Sequence, residues 1–245
     1  MGMALPTFET AVVTGASGGI GSAVVDELLR RGLTVHALAL DDPDIDRLAA
    51  KDGVCVHALD IRDTAAVDEV LDSISPDVLV NNAGIIGELT DFAAMSASSA
   101  NALIDINLRA AVLTTLRVMP GMLRRNHGHI FFTGSIAATR PTNNTAVYSA
   151  TKAALHAFAD GLRMDLFGSA IRVTVIAPGR VETNLYDATL GGHDAARSKL
   201  YEGAPVIQPS DIATLIGVAL DMPMHVDVTR LEVVPTAQVF GGSMI

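Results

Sequence analysis

Cysteine is almost missing from this 245-residue chain, in which Cys55 stands alone. A single cysteine excludes an internal disulfide framework and fits a reducing, cytoplasmic environment. Basic residues are scarce as well. The 17 lysines and arginines face 27 acids, for a net charge of −10. A surface that acidic excludes nucleic acid and anionic membrane as main partners. No apolar run approaches the roughly 18 residues of a spanning helix. The N-terminus has no basic stretch followed by an apolar one, so no secretory signal is expected. Repeats, low-complexity tracts and long linkers are missing too. His127 and His129 have no acidic or cysteine cluster at ligand spacing, so no metal is expected and both read as turn residues. Cys55 falls in residues 54–59, which read as a buried strand where a thiol is inert packing.

What is present is 49 % apolar residues, enough for a sizeable core, at a length that suits one large α/β domain over residues 1–245. Strand-like segments at 10–14, 34–40, 54–59, 77–81, 130–134, 171–177 and 230–234 alternate with helical patterns. The helices fall at about 19–31, 63–73, 96–125, 145–168 and 210–220, with a short one opening at 41–44. Gly32 suits the position after the first helix, and Ser210 reads as the cap of the last. Pro120 should kink or end the long 96–125 helix locally. Residues 126–129 read as a turn. The alternation predicts a Rossmann-type, doubly wound α/β fold: a mostly parallel sheet of about seven strands with helices on both faces, ligands binding at the carboxyl ends of the strands. Residues 182–203 are polar and glycine-interrupted, as an active-site flap would be. Arg140, Glu182 and Tyr186 lie in loops expected to rim a substrate site.

Tyr148 and Lys152 lie four apart at the start of the 145–168 helix, on one helical face. A phenol ordinarily ionises near pH 10, and a neighbouring ammonium should draw that down towards neutrality, where general acid–base catalysis works. Taken alone, the spacing is also that of a solvated helix face. Gly15, Gly19 and Gly21 follow the first strand directly and open a helix. Such glycines permit a tight turn and a close approach of a pyrophosphate to a helix N-terminus; a mere tight connection is the alternative. Asn82, Ala83 and Gly84 end the fourth strand at the same sheet edge, leaving room for an adenosine ribose or simply forming a turn. Asp60 and Ile61 end the third, where the aspartate either takes an adenine amino group or caps the next helix. Ser135 ends the fifth strand and can orient a substrate carbonyl. Asn107 is polar in an apolar helical stretch. It is either a satisfied core amide or a link from Lys152 through water to solvent.

Thr14-Gly-Ala-Ser-Gly-Gly-Ile-Gly21, Asn81 to Gly84, Asn107, Ser135, Tyr148 with Lys152, and Pro178-Gly179 together resemble the classical short-chain dehydrogenase/reductase family, in order and spacing, over almost the whole chain. The resemblance implies an NAD(P)-dependent oxidoreductase that interconverts a secondary alcohol or hydroxy acid and its carbonyl. It implies a tetrad of Asn107, Ser135, Tyr148 and Lys152, with Tyr148 moving the proton and Ser135 and Tyr148 meeting the substrate. It implies cofactor contacts from Gly15, Ser17, Gly19, Ile20, Gly21, Asp60, Ile61, Asn82, Ala83, Gly84, Tyr148, Lys152, Pro178, Gly179, Val181 and Thr183. Segments 120–130 and 222–235 further resemble the 3-hydroxy acid, serine-type branch. NADP-using members of that branch carry arginine just after the second strand, where this chain has Leu40, Asp41 and Asp42. A carboxylate there accepts from a ribose hydroxyl and repels a phosphate, so Asp41 is expected to select NAD, with NADP the second choice. A non-catalytic dinucleotide-binding regulator on the same fold is the competing reading. A homo-oligomer, dimer or tetramer, is expected through the helices 96–125 and 145–168, the second dense in alanine. Asp160 and Arg163 are candidates for pairing across that interface.

Overall fold

The computed structural model describes residues 7–200 and 205–237. Seven strands run in parallel in the order β3-β2-β1-β4-β5-β6-β7. They are β1 (Thr10–Thr14), β2 (Thr34–Ala39), β3 (Val54–Ala58), β4 (Val78–Asn81), β5 (Gly128–Thr133), β6 (Ile171–Pro178) and β7 (Arg230–Val233). The central strands are buried on both faces, so they read as continuous apolar runs rather than alternating ones. In-register pairs such as Val12 with Leu79 and Val80 with Phe131 bring the carboxyl ends of β1, β4 and β5 to one edge. Strand order reverses between β1 and β4, and a crevice opens there.

Helices cover both faces. On one side α1 (Gly19–Arg30) and α9 (Pro209–Leu220) place Val24, Val25, Leu28, Ile212 and Ile216 on the sheet. On the other lie α3 (Thr64–Asp72), α5 (Ala110–Arg125) and α6 (Ala146–Asp165), with Val67, Val118, Met122, Leu155 and Ala159. The helix α2 (Ile45–Ala49) adds Leu48 to the first layer.

Several local expectations are corrected. Residues 96–125 are not one α-helix: α4 (Ala97–Ile104) meets α5 through a π-helical turn, Asp105–Arg109. The break falls at Asn107, whereas the helix continues through Pro120 to Arg125. Pro120 is exposed, and its lost N–H bond is tolerated on that outer side. Gln208, not Ser210, caps α9, with Pro209 at its first position and Asp211 closing a capping box by accepting from the Gln208 amide at 2.8 Å. Cys55 is exposed, because β3 is an edge strand rather than a buried one. His129 is not in a turn but in β5, fully buried, stacked on Phe131 and 2.8 Å from the Thr174 hydroxyl. Within one chain Asp160 and Arg163 pair with each other in α6, and Arg163 also donates to the carbonyls of Val173 and Thr229; these contacts do not bear on the pairing expected across an interface.

Arg172 shows how β6 holds α9. Its buried guanidinium donates to the carbonyls of Ala219, Leu220 and Met222, the orphan acceptors at the helix end. Replacing Arg172 with Leu strands those carbonyls. Unfolding stability should drop by about 3 kcal/mol, read as a lower urea midpoint with an unchanged slope.

Candidate active site

Everything polar at the switch point converges on Asn82. Its side-chain amide donates to the carbonyls of Thr14 (3.2 Å) and Gly15 (3.1 Å) at the end of β1, and its oxygen accepts from Thr133 Oγ1 (3.2 Å) at the end of β5. Thr14 Oγ1 in turn accepts from the backbone amides of Asn82 and Ala83. Three strand ends are thereby pinned together.

This pinning leaves no room for side chains in the turn. Gly15 has φ +63°, and a Cβ there would lie 2.8 Å from Ala83 Cα. A Cβ on Gly21 would run into the Gly15 carbonyl and approach Asn82 Nδ2 to 2.9 Å. Gly19 opens α1 and faces Thr183 across the gap. The result is a helix N-terminus fronted by bare backbone, the form that accepts a pyrophosphate.

A cleft of about 840 Å³ runs from this turn along the carboxyl ends of the strands, large enough for a dinucleotide and a small substrate. It is lined by Gly15, Ser17, Gly19, Ile20, Asp60, Ile61, Asn82, Ala83, Gly84, Ser135, Tyr148, Lys152, Pro178, Gly179, Val181 and Thr183, all expected from the sequence. Three expected residues do not line it. Gly21 is buried beneath the turn, where it permits the close packing just described. Asn107 lies one layer behind. Asp41 is outside the lining, and its place is taken by Asp42, whose carboxylate accepts from Ser17 Oγ at 2.7 Å. The chain turns after Ala39 and sends the second aspartate, not the first, towards the cleft. Asp60 does line the cleft, but Arg62 engages both its oxygens and holds its carboxyl below the ordinary range. It does not cap the next helix: that is Asp63, which accepts from the Ala66 amide.

At the other end of the cleft Ser135, Tyr148 and Lys152 come together. Lys152 Nζ donates to the Thr133 carbonyl at 2.8 Å and lies 5.9 Å from the centre of the Tyr148 ring. Asn107 holds this corner from behind. Its oxygen accepts from the Ile85 amide (2.8 Å), and its nitrogen donates to the Ile85 carbonyl (2.9 Å) and to Thr151 Oγ1 (3.3 Å). The π turn exists where this amide reaches across to the loop after β4, so the helix break and the buried asparagine are one feature.

Burial governs the ionisation of the pair. Lys152 is drawn down to about 8 by burial. Tyr148 is pushed up, chiefly by burial and then by the nearby Tyr186 phenol, against a hydrogen bond with Ser135 that pulls it down. The expected lowering of the phenol by Lys152 is therefore not what this structure shows, since desolvation outweighs it.

The flap folds over the substrate end. Leu185 and Tyr186 pack with Ile86 and Tyr148, and Thr189 Oγ1 in α7 (Asp187–Leu190) donates to the Gly87 carbonyl at 2.9 Å. It continues through α8 (His193–Leu200); residues 201–203 of the expected flap lie outside the described residues. Arg140 and Tyr186 line the cleft, whereas Glu182 does not and instead accepts from Gln208 Nε2. Asp42, Arg62 and Thr133 were missed by sequence reasoning. None has a distinguishing local pattern, and each becomes visible only through the partner it meets. Among the described residues no cluster of three metal-ligating side chains occurs, and no helix is long and apolar enough to cross a membrane.

Known proteins share this architecture. The family model for short chain dehydrogenases matches residues 9–190. An uncharacterised short-chain type dehydrogenase/reductase of Sinorhizobium fredii is 45 % identical over 238 residues, covering 97 % of this chain and 96 % of that protein. The NADP-dependent 3-hydroxy acid dehydrogenase of Escherichia coli is 34 % identical over 239 residues, with 94 % and 96 % covered. The closed form of a serine dehydrogenase complexed with NADP+ superposes with a TM-score of 0.91 at 33 % identity, covering 96 % of this chain and 98 % of that one. A parallel seven-stranded sheet, a glycine-bare turn at its switch point and a match of this extent make the chain a member of the short-chain dehydrogenase family, and so an NAD(P)-dependent oxidoreductase.

Proposed function

We propose that the protein interconverts a secondary alcohol, of the hydroxy-acid type, and its carbonyl, with Tyr148 as the general acid–base. The observation that carries this reading is the convergence of Ser135, Tyr148 and Lys152 at one end of the cleft, opposite the glycine turn. Gly15, Gly19 and the start of α1 fit a pyrophosphate, and Asn82 to Gly84 leave space for a ribose. Bound there, NAD(P) supplies or accepts the hydride. The chain's own residues do the rest. Ser135 orients the substrate oxygen, Tyr148 Oη gives it a proton or takes one away, Lys152 supplies the charge that makes that transfer possible, and Asn107 fixes the corner. The apolar group of Ile86, Leu185 and Tyr186 excludes water above Tyr148. The hydroxy-acid class rests on the names of the relatives. Those relatives are named as dehydrogenases and none as a regulator, so a non-catalytic role has no support.

Kinship also favours NADP over NAD, the first choice from the sequence. One local observation keeps NAD as the second reading. The ribose end of the cleft carries Asp42 beside Ser17, and Arg62, which lines the same cleft, is forked onto Asp60. A cytoplasmic homo-oligomer belongs to the same proposal. Leu116 on α5, and Met164 and Phe167 at the end of α6, are large apolar side chains left on the surface, and Ala150, Ala154 and Ala157 line the outer side of α6 while Ala159 packs inward. Outward alanines permit close helix approach in a two-fold pair.

Substituting Tyr148 with Phe should lower kcat by about 10²–10⁴-fold while dinucleotide binding, followed by fluorescence, stays within about threefold. Near-normal turnover would end the Tyr148 assignment.

Asp42→Ala should raise the ratio of kcat/KM for NADPH over NADH by about tenfold or more, because it removes a negative charge from the place of a 2′-phosphate. An unchanged ratio would show that Asp42 does not select the cofactor.

In light scattering at micromolar concentration the protein should have at least twice its 25.5 kDa chain mass. Ala154→Glu should shift the population towards monomer, and a wild-type monomer would refute the interface.

A further inference from the structure

We propose that His156 is a positioning residue of this centre: its neutral imidazole, packed behind the end of β5, holds Lys152 in the ammonium form. The inference rests on the reading that Tyr148 and Lys152 move the substrate proton.

Tyr148, Lys152, His156 and Asp160 recur every four residues and so share one face of α6. His156 is only 5 % exposed, and neither Nδ1 nor Nε2 has a hydrogen-bond partner among the described residues. An imidazole left in this way incurs a desolvation cost that leucine or phenylalanine would avoid, so packing by itself gives no reason for it. The ring lies against Gly134. A Cβ there would run into Nε2 and come within 2.9 Å of Cδ2. Gly134 joins Thr133, whose carbonyl receives Lys152 Nζ, to Ser135. His156 therefore supports the short piece of backbone that holds two members of the active site.

The charged groups around the ring are known. Lys152 and Asp160 face it from α6, and Arg230 and Glu232 from β7. Asp160 is engaged by Arg163 and Arg230, and Glu232 by Arg140. Burial first, and then the two cations Arg230 and Lys152, bring the imidazole down to about 4. It is therefore neutral at pH 7. A neutral imidazole keeps one nitrogen lone pair as an acceptor. That dipole adds to the Thr133 carbonyl and the Asn107 amide as polar surroundings of Lys152. An apolar side chain would deepen the desolvation and favour the uncharged amine, whereas a neutral polar one would not.

The chain has three lysines, Lys51, Lys152 and Lys199, so ε-¹³C-lysine labelling of the full-length protein resolves Lys152 directly. Wild-type Lys152 should titrate near 8. His156→Phe should weaken its proton binding by about tenfold, one pH unit, and the alkaline loss of activity should move down by the same amount. His156→Gln, which restores an acceptor, should stay within about twofold of wild type. If phenylalanine disturbs β5, His156→Leu makes the same comparison. The proposal is overturned if Lys152 titrates normally in a folded Phe or Leu variant, or if Gln shifts it as far as Phe does. Failure of the wild type to turn over any alcohol or carbonyl would refute the proposed function separately, while the titration still decides the role of His156.

Discussion

The rest of the structure depends on the amide of Asn82. It reaches from the end of β4 to two carbonyls of the β1 turn and accepts from the end of β5. In a parallel sheet the carboxyl ends of neighbouring strands would otherwise splay at the point where strand order reverses. Three hydrogen bonds to one half-buried side chain, reinforced by the Thr14 hydroxyl, close that edge. Closure brings backbone within 3 Å of where a Cβ would lie at Gly15 and Gly21. The glycines are thus a consequence of the pinning as much as a preparation for a phosphate. One set of contacts builds both the structural seam and the binding surface.

The catalytic end obeys a different balance. Charged and ionisable groups are placed where water is excluded, so burial and not pairing sets their proton affinities. The phenol is pushed up and the ammonium down, so the two proton affinities move apart. A buried ammonium survives only with polar neighbours. Here they are the Thr133 carbonyl in front, at 2.8 Å, and the uncharged His156 behind. Asn107 serves a mechanical purpose in the same corner. Its amide is tied twice to Ile85 and once to Thr151, at the cost of regular helix geometry over five residues. The helix keeps its direction through Pro120 because that residue is on the outside, while an inward-facing amide with distant partners redirects it.

The cofactor's ribose end is where this chain is most its own. Leu40 and two aspartates follow β2, and the only guanidinium lining that end among the described residues, Arg62, is held by Asp60. Charge at that point opposes a phosphate more than it invites one. Two of the relatives named above are NADP-dependent or carry NADP+. Local electrostatics and ancestry thus act on the same few ångströms in opposite senses.

Much was legible in the chain alone, and the physical reason is locality. Strand and helix positions follow from apolar periodicity, and their alternation leaves a doubly wound parallel sheet as the economical packing. Gly15, Gly19 and Gly21 in a fixed spacing, and Tyr148 with Lys152 one helical turn apart, are short-range patterns and survive in sequence form. What needed the tertiary structure was every property set by residues far apart in the chain. Which of Asp41 and Asp42 reaches the cleft depends on how the loop after β2 meets Ser17. His129 is buried because β5 begins earlier than its local polarity suggests, and Cys55 is exposed because β3 has no second neighbour. The ionisation of Tyr148 is a matter of burial, which a helical spacing does not reveal. His156 has no pattern of its own, and only the packing of α6 against Gly134 shows an imidazole without partners beside the lysine. Sequence determines the elements and the residues they carry; burial and long-range contact decide what those residues can do.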